Sequence, residues 1–152
     1  LGLALSCLLG GALLLGGAFT LDGKPQQDRV DWQPLSEQAI ALALAQNKRV
    51  FVDVTADWCI TCKANKFNVL LRDDVQQALS APDVVALRGD WSRPSDSIAS
   101  FLRQRGSVAI PFNQIYGPGL TDGEILSPLL DRSTLLATLS QAGIAPSQGE
   151  TK

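Results

Sequence analysis

Residues 50–63 read Val50-Phe51-Val52-Asp53-Val54-Thr55-Ala56-Asp57-Trp58-Cys59-Ile60-Thr61-Cys62-Lys63. Val50 to Val54 is a short apolar, β-branched run interrupted by one acid, the pattern of a central strand buried on both faces. Beyond Thr55 the chain crosses a short loop and continues from Cys59 into Ala64–Leu71 without a helix breaker, which places both cysteines at the start of a helix. Two cysteines three positions apart there lie about one turn from each other, close enough for a disulfide with little backbone movement. Unpaired N–H groups and the helix dipole at that end favour an anion, so Cys59 is the expected attacking thiolate. Cys62, one turn further in, is expected to be more shielded and to resolve the mixed disulfide that Cys59 forms with a partner.

Other uses of the pair are weaker. A structural zinc site needs four ligands, and the chain has no histidine and only one further cysteine, Cys7. Covalent haem would need histidine after Cys62, where Lys63 stands. A purely structural disulfide closing so small a loop would stabilise little. Ile60 and Thr61 between the cysteines carry no basic group to stabilise a Cys59 thiolate, which argues for a reductant rather than a strong oxidant.

Asp53 is the other residue singled out, because a carboxylate inside an apolar strand is desolvated and tends to hold its proton. Such a group can exchange a proton with Cys62. The competing reading is an acid at a strand edge, or one paired with Lys63 or Lys66. Asp57 and Trp58 border the pair and either shape partner docking or simply pack the loop. Pro111 follows Ile110 just before a strand, a common element boundary.

Outward from this stretch, Ser36 is expected to cap a first helix running to about Asn47. Asp73 or Asp74 opens a short helix to Leu79, and Val84–Leu87 reads as a second strand. Ser95 to Arg105, with Ile98, Phe101 and Leu102 on one face and Gly106 after it, reads as a helix. Phe112–Tyr116 is a strand, Gly117-Pro118-Gly119 a turn, Ile125 and Leu126 part of a further strand, and Arg132 to about Gln141 a last helix. The order βαβα then ββα implies an α/β fold, a mixed central sheet flanked by helices.

With 152 residues, one domain is expected, at 35–143. Leu1 to Leu21 contains no charged residue and is long enough to span a bilayer core of roughly 30 Å as a helix. It reads as one transmembrane helix before the domain. A signal peptide with Gly16-Gly17-Ala18 near its cleavage site is the alternative. Because position 1 is Leu rather than Met, the chain is expected to continue upstream. Asp22 to Pro34 has linker composition, and 144–152 reads as a disordered tail. Cys7, alone among Leu and Gly, reads as a small packing residue, with Ala4 where a lipobox would have Leu. Thirteen basic against fifteen acidic residues, without long basic runs, exclude a nucleic-acid surface or polybasic lipid anchor and leave proteins as partners.

Ala56-Asp57-Trp58-Cys59-x-x-Cys62-Lys63 after Val52-Asp53 resembles the active-site segment of thioredoxin-like domains, and Ile110-Pro111 resembles their cis-proline site. With Gly89-Asp90-Trp91-Ser92, Tyr116-Gly117-Pro118-Gly119 and Glu124-Ile125-Leu126 added, residues 32–142 are similar to the C-terminal domain of DsbD-type thiol:disulfide interchange proteins. The resemblance implies a thioredoxin-like fold with Cys59 and Cys62 as redox pair, Asp53 as buried acid, and Asp57, Trp58, Ile60, Thr61, Ile110 and Pro111 on the docking surface. It implies a periplasmic domain held at the bacterial inner membrane. Electrons would arrive from a membrane electron-transfer domain upstream and leave to disulfides of periplasmic proteins. No cofactor or metal is expected to bind, NADPH entering only indirectly. A tethered reductase for cytochrome c maturation and a non-catalytic thioredoxin-fold binding module are the alternatives.

Overall fold

A computed structural model describes residues 26–145. Five strands make one mixed sheet in the order β1-β3-β2-β4-β5: β1 is Trp32–Pro34, β2 Arg49–Thr55, β3 Val84–Asp90, β4 Phe112–Gly117 and β5 Leu120–Ile125. β1 and β2 both run parallel to β3, whereas β4 is antiparallel to β2 and β5 to β4. The helices are α1 (Glu37–Ala45), α2 (Ile60–Asn65), α3 (Asp73–Leu79), α4 (Asp96–Gln104) and α5 (Arg132–Ala142).

The expected central strand is β2, with Val50 to Val54 all buried. Its side chains alternate between two layers. Phe51 enters the one built with Val69, Leu70, Val75, Leu79, Leu135 and Leu139, while Val50, Val52 and Val54 enter the one built with Ile40, Ala43, Phe101 and Leu102. Complete burial of Phe51 contributes about 2–3 kcal/mol. The same alternation puts Asp53 on the Phe51 face, under the cysteine helix.

Local signals explain most helix ends. The Ser36 hydroxyl accepts from the Ala39 N–H at 3.0 Å and starts α1, and Ser95 caps α4 in the same way through Ile98. Gly106 closes α4 at φ 70°, a left-handed conformation that glycine adopts without a Cβ penalty. At α3 the cap position is Arg72, without a side-chain cap bond, and Asp73 and Asp74 occupy the first turn.

Three elements differ from the sequence reading. β1 and buried Val30 lie within the stretch read as linker, so the folded part begins before residue 35. β1 is a three-residue edge strand ending in Pro34, too short for a period-2 pattern, and edges tolerate proline. Trp32 secures it, packing against Phe51 with ring centroids 6.1 Å apart. Second, the helix after the cysteines is not uniform: α2 passes into a π-helical turn, Lys66–Leu70, where Leu71 N–H donates to the Lys66 carbonyl at 2.9 Å. The wider turn buries Val69 and Leu70 side by side. Third, β5 lies mostly before Ile125, and Leu126 follows it with its N–H on the Asn113 carbonyl.

Among the described residues no helix is long and apolar enough to cross a membrane. The expected transmembrane helix Leu1–Leu21, Cys7 within it and residues 146–152 of the expected tail lie outside the described residues.

Candidate active site

Cys59 is the N-cap of α2, and it is joined to Cys62 by a disulfide with Cα atoms 5.2 Å apart. The Cys59 Sγ accepts the Cys62 backbone N–H at 3.1 Å. A backbone N–H so placed favours negative charge on the Cys59 sulfur. The expected difference in shielding is absent in this disulfide form: Cys59 is 6% and Cys62 5% exposed. What separates the two sulfurs is their surroundings. Cys59 sits between exposed Trp58 and Ile60, whereas Cys62 lines an inner cleft of about 420 Å³ shared with Asp53.

Asp53 is held from both neighbouring strands, because the register sets it opposite Arg88 on β3 and Asn113 on β4. Arg88 Nε donates to Asp53 Oδ2 and Asn113 Nδ2 to Asp53 Oδ1, both at 3.0 Å. The partner is therefore Arg88 and neither Lys63 nor Lys66, although both lysines line the cleft. Burial raises the Asp53 carboxyl pKa and outweighs the charge of Arg88 and the bonds from Asn113 and Arg88, which lower it. This is the direction expected of a carboxylate in an apolar strand. The Oδ1 atom of Asn113 is buried without a hydrogen-bond partner, so polar capacity remains beside the acid.

Of the remaining expected residues, Trp58, Ile60, Thr61 and Ile110 lie towards the outer face, whereas Asp57 borders the inner cleft and Pro111 is buried rather than on the surface expected of it. Trp58 is 61% exposed and its indole N–H donates to the Trp91 carbonyl at 3.2 Å, while Ile60 is 82% exposed. Thr61 is exposed beside Ile60. The Asp57 N–H donates to the Ser92 hydroxyl at 2.8 Å, which fixes the loop, and the Asp57 side chain rims the inner cleft. The Ile110–Pro111 bond is cis, and Ile110 packs against the cysteine pair together with Trp91. Trp58, Trp91, Pro94, Val108 and Ile110 line a groove of about 610 Å³ on that side. Arg88, Asn113 and Val108 belong to the site but were not singled out from sequence, and Trp91 was quoted only within the Gly89-Asp90-Trp91-Ser92 motif of the resemblance. Among the described residues no cluster of three or more acidic or cysteine side chains is placed to hold a metal ion.

A strand, loop and helix carrying a redox disulfide against a cis-proline loop matches what family comparison finds: a profile described as thioredoxin-like covers residues 31–118. The chain belongs to the thioredoxin-like family. Among curated proteins it is 29% identical over 115 residues to the thiol:disulfide interchange protein DsbD of Yersinia enterocolitica, which covers 65% of this chain and 20% of that one. It is 30% identical over 112 residues to that of Actinobacillus pleuropneumoniae, covering 72% of this chain and 19% of that one. The chain thus spans about a fifth of the curated relatives it matches. The C-terminal domain of Neisseria meningitidis DsbD in its oxidised form superposes with TM-score 0.55 at 22% identity, over 69% of this chain and 90% of that one. The chain is similar in sequence to DsbD proteins and shares the fold of that C-terminal domain.

Proposed function

We propose that the chain reduces disulfides of partner proteins through the Cys59/Cys62 dithiol, with Asp53 as the proton partner of Cys62. The observation that carries this reading is the division of the site: Cys59 beside an exposed apolar groove, Cys62 on an inner cleft with a buried acid. The Cys59 thiolate attacks one sulfur of the partner disulfide, forming a mixed disulfide and releasing the partner's other sulfur as a thiolate. Cys62 then gives its proton to Asp53, and its thiolate attacks Cys59 Sγ. The Cys59–Cys62 bond forms, the mixed bond breaks, and the partner leaves with its second sulfur reduced, two electrons having moved from the dithiol to the partner. Trp58, Ile60, Thr61, Asp57 and Ile110 form the surface on which the partner rests, with Pro111 buried next to Ile110.

The likeness to DsbD supports the finer reading that electrons reach this dithiol from a membrane electron-transfer domain and pass to periplasmic thiol-disulfide proteins at the bacterial inner membrane. NADPH enters that scheme only upstream. The test is reduction of insulin disulfides by the chain with a regenerating dithiol. The wild type turns over, and Cys59→Ser falls to the uncatalysed rate. Full turnover by Cys59→Ser contradicts the assignment.

A further inference from the structure

Arg88 is shared. Its Nε holds Asp53, and its Nη1 reaches Asp28 Oδ2 at 3.3 Å. Its guanidinium also lies 3.6 Å above the Trp32 ring, and the Trp32 indole N–H donates to the same Asp28 oxygen at 2.9 Å. Buried Gln76 completes the anchor, donating to Asp28 Oδ1 at 3.2 Å and accepting the Arg29 N–H. A segment with linker composition is therefore fastened to the one cation that pairs with the buried acid of the redox site. A guanidinium divided between two carboxylates neutralises each less than it would neutralise one alone.

We infer that Asp28 is a positioning residue of the redox site, setting the proton affinity of Asp53 by drawing on Arg88. The inference rests on the reading of Asp53 as proton partner of Cys62 for its functional meaning, though not for its physics. The charged and titratable groups on the Asp53 cleft are Arg88 and Asp90 from β3, Lys63 and Cys62 from α2, Lys66 from the π-helical turn and Asp57 from the loop; Asn113 faces the acid from β4 and Asp28 reaches it through Arg88. Asp28 has a side chain 21% exposed. Burial would raise its carboxyl pKa, but bonds from Gln76 and Trp32 and the charge of Arg88 outweigh burial and hold it below the ordinary value, so Asp28 stays anionic where Asp53 titrates. Its negative charge also adds to the push on Asp53.

The direct readout is the Asp53 carboxyl carbon followed by NMR through a pH titration of the disulfide form, assigned with Asp53→Asn. Asp28→Asn keeps the shape of the side chain, and Asp28→Ser removes the charge with a smaller group should the amide disturb folding. Either variant shifts the Asp53 midpoint downward, Arg88→Gln shifts it upward, and the Asp28 effect shrinks in an Arg88→Gln background. An unmoved or raised midpoint, or an Asp28 effect undiminished without Arg88, overturns the inference. In insulin reduction the acid limb of the pH–rate profile follows the midpoint, since a general base must be ionised to act. If the midpoint moves while the acid limb stays, Asp28 keeps its role and it is the proton-transfer role of Asp53 that fails.

Discussion

Arg88 and Arg105 do similar things on opposite faces of the sheet and produce opposite results. Each lies over an aromatic ring, Arg88 over Trp32 and Arg105 over Phe101, and each pairs with a carboxylate far away in sequence. Arg105 grips Glu37 with both terminal nitrogens at 2.6 and 2.9 Å and also donates to Gln114, to the Tyr116 hydroxyl and to the Phe101 carbonyl. Glu37 keeps 53% of its side chain exposed. Arg88 gives Asp53 one hydrogen bond, spends another on Asp28, and Asp53 is only 7% exposed. A bidentate pair with one end in water satisfies its charges and ties α1 to the end of α4 and to β4. A monodentate, divided pair at a buried carboxylate leaves a group that gains by holding its proton. The first arrangement stabilises a fold, and the second keeps a titratable group beside a cysteine.

The largest effect expected from this contrast is on Asp53. Asp53→Asn slows resolution by Cys62 about 100-fold near neutral pH, within the range for loss of a general base, measured as decay of a preformed mixed disulfide at Cys59. The same substitution raises stability. The folded-state pKa of Asp53 lies above the ordinary value of 3.8, so the folded protein binds that proton more tightly than the unfolded chain. Wild-type stability from this group is present below the ordinary value and is lost as pH rises through the folded one. Thermal unfolding should therefore show Asp53→Asn above wild type at pH 8, with the difference closing towards pH 4. A variant less stable at pH 8 would mean that pairing with Arg88 outweighs burial.

A smaller effect, of another kind, follows for Arg105. Arg105→Met keeps the apolar stem over Phe101 and removes the charged hydrogen bonds, at a cost of about 2 kcal/mol in urea unfolding. The pH–rate profile for disulfide reduction should not move. A shifted profile would show that the two networks communicate across the sheet.

What could be read from sequence depended on distance along the chain. Val50–Val54, the cysteine helix, the Ser36 cap and the helix from about Ser95 to its Gly106 stop are written in adjacent residues, and so was the buried position of Asp53. Its partners were not, because Arg88 and Asn113 stand 35 and 60 positions away and meet it only through strand register. β1 was hidden for a related reason. Three edge residues in a polar stretch carry no periodicity, and only Val30 and Trp32, two apart, hinted at a buried side. The exposed groove was legible where it borders the cysteines, at Trp58, and illegible at Val108, which the fold brings there from the loop before Pro111.

The central claim is that Cys59 attacks and Cys62 resolves. It is tested most directly by reacting the reduced Cys62→Ala chain, with Cys7→Ser added so that one thiol remains, with a disulfide-bearing protein and locating the adduct by peptide mass. The account predicts a stable mixed disulfide at Cys59. A chain that forms no adduct, while the reciprocal Cys59→Ala, Cys7→Ser chain forms one at Cys62, would contradict it.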